Sequence, residues 1–250
     1  MIMLAQNSRL KQLQSVLFNF IFENRCTSCD RLITNDALCD SCQKSIKLTP
    51  PQLCSICAAP LEYQFRISSR YTHFCLKCRE LEIPFDEIQT PFVYENPFKS
   101  LILGLKFKNK RELATEIVER SYKYFEPLID ELDNPIIIPT PLSFRKIFSR
   151  GYNHAYLLGL EVAKRGNLSI DSQSLIRKKH TKPQFSLSNK NRRKNVKDAF
   201  ALTRTDLIKN RDLILVDDVY TTGATIFECA KVLQNGSPNT ISVLAICRSI

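Results

Sequence analysis

The chain has 250 residues, with 36 Lys plus Arg against 25 Asp plus Glu and a formal net charge of +11. Apolar residues make up 44% and charged residues 24%, which excludes a wholly disordered chain, a collagen and a coiled coil. The length suits one large domain or two smaller ones, and the positive balance favours anionic partners such as phosphates, nucleic acid or an acidic membrane surface.

At the start of the chain, Leu10, Leu13, Val16, Leu17 and Phe20 recur at helical spacing and predict an amphipathic helix over residues 1–24. Arg9 and Lys11 ahead of the apolar run 16–22 imitate a secretory signal, but no small-residue cleavage site follows. The helix is therefore expected to dock on the rest of the protein. No apolar span reaches the ~20 residues that a transmembrane helix needs.

Residues 25–80 carry eight of the ten cysteines, as four Cys-x-x-Cys pairs: Cys26/Cys29, Cys39/Cys42, Cys54/Cys57 and Cys75/Cys78. Two thiolates three positions apart chelate one ion from a tight turn, and two such pairs complete a tetrahedral sulfur cage, so the spacing reads as zinc before disulfides. Two structural Zn²⁺ are expected, because four thiolates leave no open position for catalysis. Sequential grouping of the pairs and an interleaved, cross-braced grouping use the same residues. Reduced thiols imply a reducing, cytoplasmic compartment. With eight Cys present, His73 is expected on the surface rather than on a metal, and Cys229 and Cys247 read as buried apolar residues.

Pro84, Pro91 and Pro97 mark residues 81–98 as a bridge, with an edge strand expected over 90–95. From there to residue 250 the pattern alternates helix and strand. Leu101, Ile102, Leu105 and Phe107 predict a short helix with Lys106, Lys108 and Lys110 exposed. Leu113, Ile117, Val118 and Tyr122 predict a helix over 111–126. Ile136–Ile138, between two prolines, is an all-apolar strand. A helix is expected over 152–165 with Gly166 as its C-cap. Residues 177–197 are polar, basic and aperiodic, and read as a loop. The run 212–217 is a buried-type strand, a helix is expected from Ala224 to Gln234, and 241–246 is a last strand. Continuous apolar strands between helices argue for an α/β fold with a mostly parallel sheet and helices on both faces.

The sharpest stretch is Leu213-Ile214-Leu215-Val216-Asp217-Asp218-Val219-Tyr220-Thr221-Thr222-Gly223-Ala224-Thr225. A buried strand leads to two carboxylates at the carboxyl edge of the sheet, where open α/β sheets bind ligands. A hydroxyl-rich turn with a glycine then opens a helix, whose free amides and dipole suit a phosphate. The carboxylates suit sugar hydroxyls, or Mg²⁺ held with the ligand. No Walker loop or dinucleotide fingerprint occurs there. The stretch resembles the phosphoribosyl pyrophosphate (PRPP) motif of type I phosphoribosyltransferases. That resemblance implies that Asp217 and Asp218 contact ribose hydroxyls and that Thr221, Thr222, Gly223, Ala224 and Thr225 cradle the 5′-phosphate. It places the pyrophosphate at the loop after an earlier strand, here Pro139-Thr140-Pro141-Leu142, with Arg145, Lys146 and Arg150 as cationic neighbours.

Further signals stand in a fixed order: the N-terminal cysteine ribbon, Lys106-Phe107, Arg150-Gly151-Tyr152-Asn153, Lys182-Pro183-Gln184, Arg192-Arg193-Lys194-Asn195-Val196 and the PRPP-like turn. Together they resemble the competence protein F (ComF) family, over nearly the whole chain. The resemblance implies a type I phosphoribosyltransferase-like domain over 81–250 behind a double zinc ribbon over 25–80. It implies a cytoplasmic protein of natural transformation that binds Mg²⁺–PRPP and handles single-stranded DNA, with a competence helicase among its partners. Many members of that family carry one Cys quartet, whereas this chain carries two. DNA-backbone candidates are Arg177, Lys178, Lys179, Lys182, Lys190, Arg192, Arg193 and Lys194, with Phe185 and Tyr152 as stacking candidates; a second surface is Arg66, Arg70, Tyr63 and Tyr71. Three functions follow: phosphoribosyl transfer, a DNA-handling module whose PRPP pocket only senses, and nucleobase salvage. A double zinc ribbon argues against the third.

Overall fold

The protein is described from a computed structural model over residues 24–34, 36–56, 61, 74–179 and 196–250. The expected N-terminal helix (but for its last residue), Cys57, His73, the alternative surface around residues 63–71 and the basic positions Lys182, Lys190, Arg192, Arg193 and Lys194, with Phe185, lie outside the described residues.

The two cysteine regions are built alike. Helix α1 (Asp40–Lys44) is capped by Cys39 and contains Cys42; helix α2 (Leu76–Arg79) is capped by Cys75 and contains Cys78. The bridge then supplies β1 (Glu87–Gln89) and β2 (Phe92–Val93). Helices α3 (Phe98–Phe107) and α4 (Leu113–Ile129) precede β3 (Ile136–Pro139). Next come α5 (Phe144–Arg150), α6 (His154–Gly166) and the short β4 (Ser169–Ile170). A hairpin of β5 (Leu175–Arg177) and β6 (Phe200–Leu202) leads to β7 (Asp212–Tyr220), α7 (Ala224–Gln234) and β8 (Thr240–Arg248).

The main sheet runs β1-β8-β7-β3-β4, all parallel, with β2 continuing beside β8 past β1. This is the mostly parallel α/β architecture that the apolar strands predict. Strand alternation sends Ile137, Ile214, Val216, Leu244 and Ile246 to one face, under α3, α4 and α6. Ile136, Ile138, Leu213, Leu215, Val243 and Ala245 go to the other, under α7 and the β5–β6 hairpin. The first cysteine region (Cys26, Leu38, Cys39) packs into the first core, and the second (Cys54, Ile56, Cys78) into the opposite one. Between them, residues 47–49 run antiparallel along β2, with Val93 donating to Lys47 O (3.0 Å) and Thr49 to Pro91 O (2.9 Å). The cysteine regions thus straddle one margin of the sheet and cover its edge, a protection that exposed strands require.

Several elements depart from the sequence reading. The strand expected over 90–95 is reduced to β2, and β1 precedes it outside that span. Helix α4 runs on through Pro127 to Ile129, although the proline has no amide to bond the Lys123 carbonyl and removes one helical hydrogen bond. Asn167 (φ +50°), not Gly166, takes the left-handed position that ends α6. Strand β7 does not stop at the acids but continues through Val219 and Tyr220, still paired with Cys247 and Arg248. The stretch after β3 forms α5, although none of its residues is buried. On α3 the expected orientation is reversed at the end: Phe107 is 64% exposed, whereas Lys106 turns inward. Cys229 and Cys247 are buried as expected.

Ile214 is fully buried at the centre of β7. Ile214→Ala leaves a cavity under α6 and should cost about 2–5 kcal/mol, read as a lower midpoint in denaturant unfolding with zinc retained.

Candidate functional site

The site lies at the carboxyl ends of β3 and β7. Residues 217 and 218 are neighbours on an extended strand, so their side chains leave it in different directions. Asp218 is buried and Asp217 half-buried. Asp218 forms an ion pair with Lys106 from the end of α3, and its Oδ2 lies 3.0 Å from His154 Nε2 at the start of α6. On the other side of the imidazole, Arg150 Nη1 donates to Nδ1 at 2.8 Å. The imidazole is therefore neutral, with its proton on Nε2 aimed at Asp218. Burial pushes His154 below its usual pKa, against the pull of Asp218.

The two carboxylates are driven apart. Burial raises Asp217 to about 7, helped by the charge of Asp218. The same burial would raise Asp218, but Lys106 and then His154 outweigh it and hold that carboxyl far below the usual range. Lys106, opposed by burial, is held above its usual value by Asp218. Near neutrality the pair therefore carries one fixed negative charge on Asp218 and one exchangeable proton on Asp217. Asp217 accepts from the Asp218 amide (2.9 Å) and from the Thr140 hydroxyl.

The Arg150-Gly151-Tyr152-Asn153-His154 string explains itself residue by residue. Gly151 (φ +81°) ends α5 in the left-handed conformation. Tyr152 is buried, and its hydroxyl donates to the Leu105 carbonyl, next to Lys106. Asn153 caps α6 by accepting from the Ala155 amide (3.0 Å), and its amide donates to Thr140 O (2.9 Å). The string thereby ties α3, the loop after β3 and α6 together around Asp218. Tyr152 is in no position to stack on a base.

After β7, Gly223 (φ +71°) caps α7 with no side chain, and a Cβ there would collide with the Tyr220 ring. Thr221, Thr222 and Thr225 are half-buried around it, and Gly223 and Ala224 are buried. The turn presents the amino end of an eleven-residue helix beside the acids. Of the loop after β3, Pro139 and Thr140 are buried and Pro141 is half-buried. Arg150 turns toward the acids, while Arg145 is exposed on the outer side of α5. Lys146, which stands on the same side of α5 as Arg150, is half-buried. Its pKa is depressed by burial and then by the charges of Arg177, Arg150 and Lys106. Four cations thus converge on two carboxylates, one of which is neutralised by Lys106 alone: the balance of the site is positive. Lys178 and Lys179 are exposed at the end of β5, where their amides bond Ala199 O. Glu228 accepts from the Asp198 amide (3.3 Å) and braces the hairpin.

Sequence reasoning missed two members of this centre. Lys106 sits among alternating lysines and reads as solvated; His154 is a lone histidine at a helix start. The spacing of His154 four residues after Arg150 was the available signal.

The thiols group sequentially. The sulfurs of Cys26, Cys29, Cys39 and Cys42 all lie within 4.8 Å of one another, and so do those of Cys54, Cys75 and Cys78. Cys29 and Cys39 Sγ are 3.6 Å apart, close to the ~3.8 Å edge of a tetrahedron with Zn–S bonds of about 2.3 Å. Cys39 also donates its amide to Cys26 Sγ (3.4 Å), a bond suited to a thiolate. The donor set is that of structural zinc.

Fold and site together define a mostly parallel α/β protein with paired acids at a strand–turn–helix junction and paired cysteine clusters. Residues 17–79 match a family described as a double zinc ribbon domain. Competence protein F of Haemophilus influenzae is 33% identical over 93% of this chain and 100% of its own length. DNA utilization protein YhgH of Escherichia coli O157:H7 is 28% identical over 88% of this chain and 100% of its own. Competence protein ComFC of Bacillus subtilis is 23% identical over 86% of this chain and 85% of its own. The chain belongs to the competence protein F family. Among solved structures it is similar to TT1426 from Thermus thermophilus, at 15% identity and a TM-score of 0.33 over 53% of this chain and 72% of that one. A hypoxanthine phosphoribosyltransferase from Staphylococcus aureus gives 16% and 0.33 over 54% and 62%. Among the described residues no helix is long and apolar enough to cross a membrane.

Asp217 holds its proton to about pH 7 in the folded protein but to only about 3.9 when unfolded. Native protein then binds the extra proton between those values, so Asp217 makes stability fall as pH rises from ~4 to ~7, with no further loss above. Asp217→Asn should remove this slope. Its gain over wild type, read by thermal unfolding, should be near zero at pH 4 and roughly 1–4 kcal/mol at pH 8.

Proposed function

We propose that this chain acts in natural transformation, in the uptake and processing of single-stranded DNA, as a PRPP-binding protein held together by two structural Zn²⁺. The single observation that carries PRPP is the junction of β7 and α7: a half-buried Asp217 beside an uncapped helix amino end, in a site whose cations outnumber its ionised acids. The Thr221–Thr225 turn takes the 5′-phosphate through amides and hydroxyls. Asp217 takes the ribose hydroxyls, or one Mg²⁺ carried in with the diphosphate, since magnesium uses one or two carboxylates and keeps phosphate and water as its other ligands. Lys146, Arg150 and Arg177 balance the diphosphate. Asp218 acts through Lys106 and His154 and positions the strand rather than touching the ligand, which revises the expectation that both acids bind ribose. Membership of a family that includes competence protein F supports the transformation role.

A second reading is phosphoribosyl transfer rather than sensing: Asp218 is engaged by two partners, but Asp217, raised to about 7, is the carboxylate suited to act as a base. Release of pyrophosphate from PRPP in single-turnover assays with candidate acceptors separates the two readings.

Isothermal calorimetry with Mg²⁺–PRPP should show binding to wild type and at least about tenfold weaker binding to Asp217→Ala, with zinc content unchanged. Absence of wild-type binding would end the PRPP reading. Metal analysis should find two zinc ions per chain, falling to one in Cys26→Ser. Titration of eight free thiols in the native protein as purified would overturn the zinc assignment.

A further inference from the structure

The site leaves one surface unexplained. Among the described residues, the exposed large aromatic side chains are Phe107 (64%), Phe144 (80%) and Phe148 (84%). Phe144 and Phe148, one turn apart on α5, share its outer face, while Lys146 and Arg150 occupy its inner one. Phe107, at the end of α3, is joined to α5 by Arg150, whose guanidinium lies 5.0 Å from its ring centroid. Arg111, following α3, approaches Gly151 at the end of α5 and stacks over Tyr152 at 4.7 Å.

Leaving three phenylalanines in water is a cost that a soluble surface rarely carries without a partner. The chemistry of that partner is set by charge. Residues 98–111 contain no Asp or Glu, and neither do residues 134–160. These two segments build the whole patch, and their exposed cations include Lys108, Arg111 and Arg145. Rings interleaved with cations, with exposed Glu112 as an acid at the margin beside Arg111, suit a flexible polyanion that carries its own flat apolar groups. A membrane surface is the poorer match, since α5 has only seven residues and the exposed Arg145 stands beside its rings.

We propose that the outer face of α5 and the end of α3 form a stacking platform for single-stranded nucleic acid, with Phe107, Phe144 and Phe148 receiving bases and Lys108, Arg111 and Arg145 following the phosphates. The proposal rests on the single-stranded DNA reading given above and assigns it a surface distinct from the β5–β6 connection. Recognition there is sequence-tolerant, because every base offers a π-face.

The test is fluorescence anisotropy with labelled oligo(dT) and oligo(dA) of about 20 nucleotides. The full chain is compared with Phe144→Ser/Phe148→Ser, Phe148→Trp and Phe148→Leu. Both substituted positions are exposed, so thermal midpoints should match wild type. The double variant should bind both oligonucleotides about tenfold more weakly per ring removed. Its slope of log affinity against log salt should be unchanged, because no phosphate contact is lost. Phe148→Trp should bind like wild type and Phe148→Leu should not. Wild-type binding that survives in the double variant overturns the platform and leaves the DNA reading standing. No oligonucleotide binding by wild type overturns both. Full affinity in Phe148→Leu, or loss in the double variant of co-sedimentation with phosphatidylcholine/phosphatidylserine vesicles while oligonucleotide affinity holds, also overturns it.

Discussion

A carboxylate buried in the middle of a parallel sheet is tolerable only if its charge is met there, and the arrangement around Asp218 follows from that constraint. Lys106 and His154 meet it from two helices that the sheet must hold at the right depth. Losing either partner leaves an under-compensated buried charge, a far larger penalty than the net worth of the pair. The Tyr152–Leu105 bond, the Asn153 cap and the left-handed Gly151 become intelligible as the means by which α3 and α6 are kept at Asp218. The Thr221–Thr225 turn after β7 inherits its position from the same clamp.

The clamp also explains why two adjacent aspartates behave differently. By absorbing the strong counter-charges, Asp218 leaves Asp217 with a like charge beside it and little solvent, so Asp217 keeps a proton that an isolated carboxyl would have lost. Surrounding cations that are not consumed by the clamp then face outward into the site. The balance of charge at this centre is therefore positive, and it repels free cations.

Much of this was legible in the sequence where local chemistry and tertiary packing agree. Four apolar residues in a row place the centre of β7, the Gly223 turn marks the start of α7, and prolines bracket β3. Paired cysteines announce clusters, although only the folded chain groups Cys26, Cys29, Cys39 and Cys42 together. What the residues hide is direction. Lys106, Lys108 and Lys110 are chemically alike, and nothing short of the position of Asp218 tells which one turns inward. The expected Gly166 cap lost to Asn167, another residue that tolerates the left-handed region. Helix α5 was masked by its own exposure: its apolar residues have helical spacing but face water, so the pattern had no core to confirm it.

Strand β8 lies between β7 and the β1–β2 margin, and its Arg248 donates to the carbonyl of Ser55, 193 positions earlier. A strand made late in synthesis is thus the keystone between the β3–β7 half, which carries the paired acids, and the cysteine-rich half. Contacts of such long sequence separation are closed slowly, because the intervening chain must first give up its freedom. The first cysteine region already meets α4 through the Asp36–Arg120 ion pair, and residues 47–49 meet β2, but the sheet margin that they flank joins the rest of the sheet only when residues 240–248 arrive. A chain interrupted before β8 would leave β1 and β2 unpaired with the sheet and its two apolar faces open to aggregation.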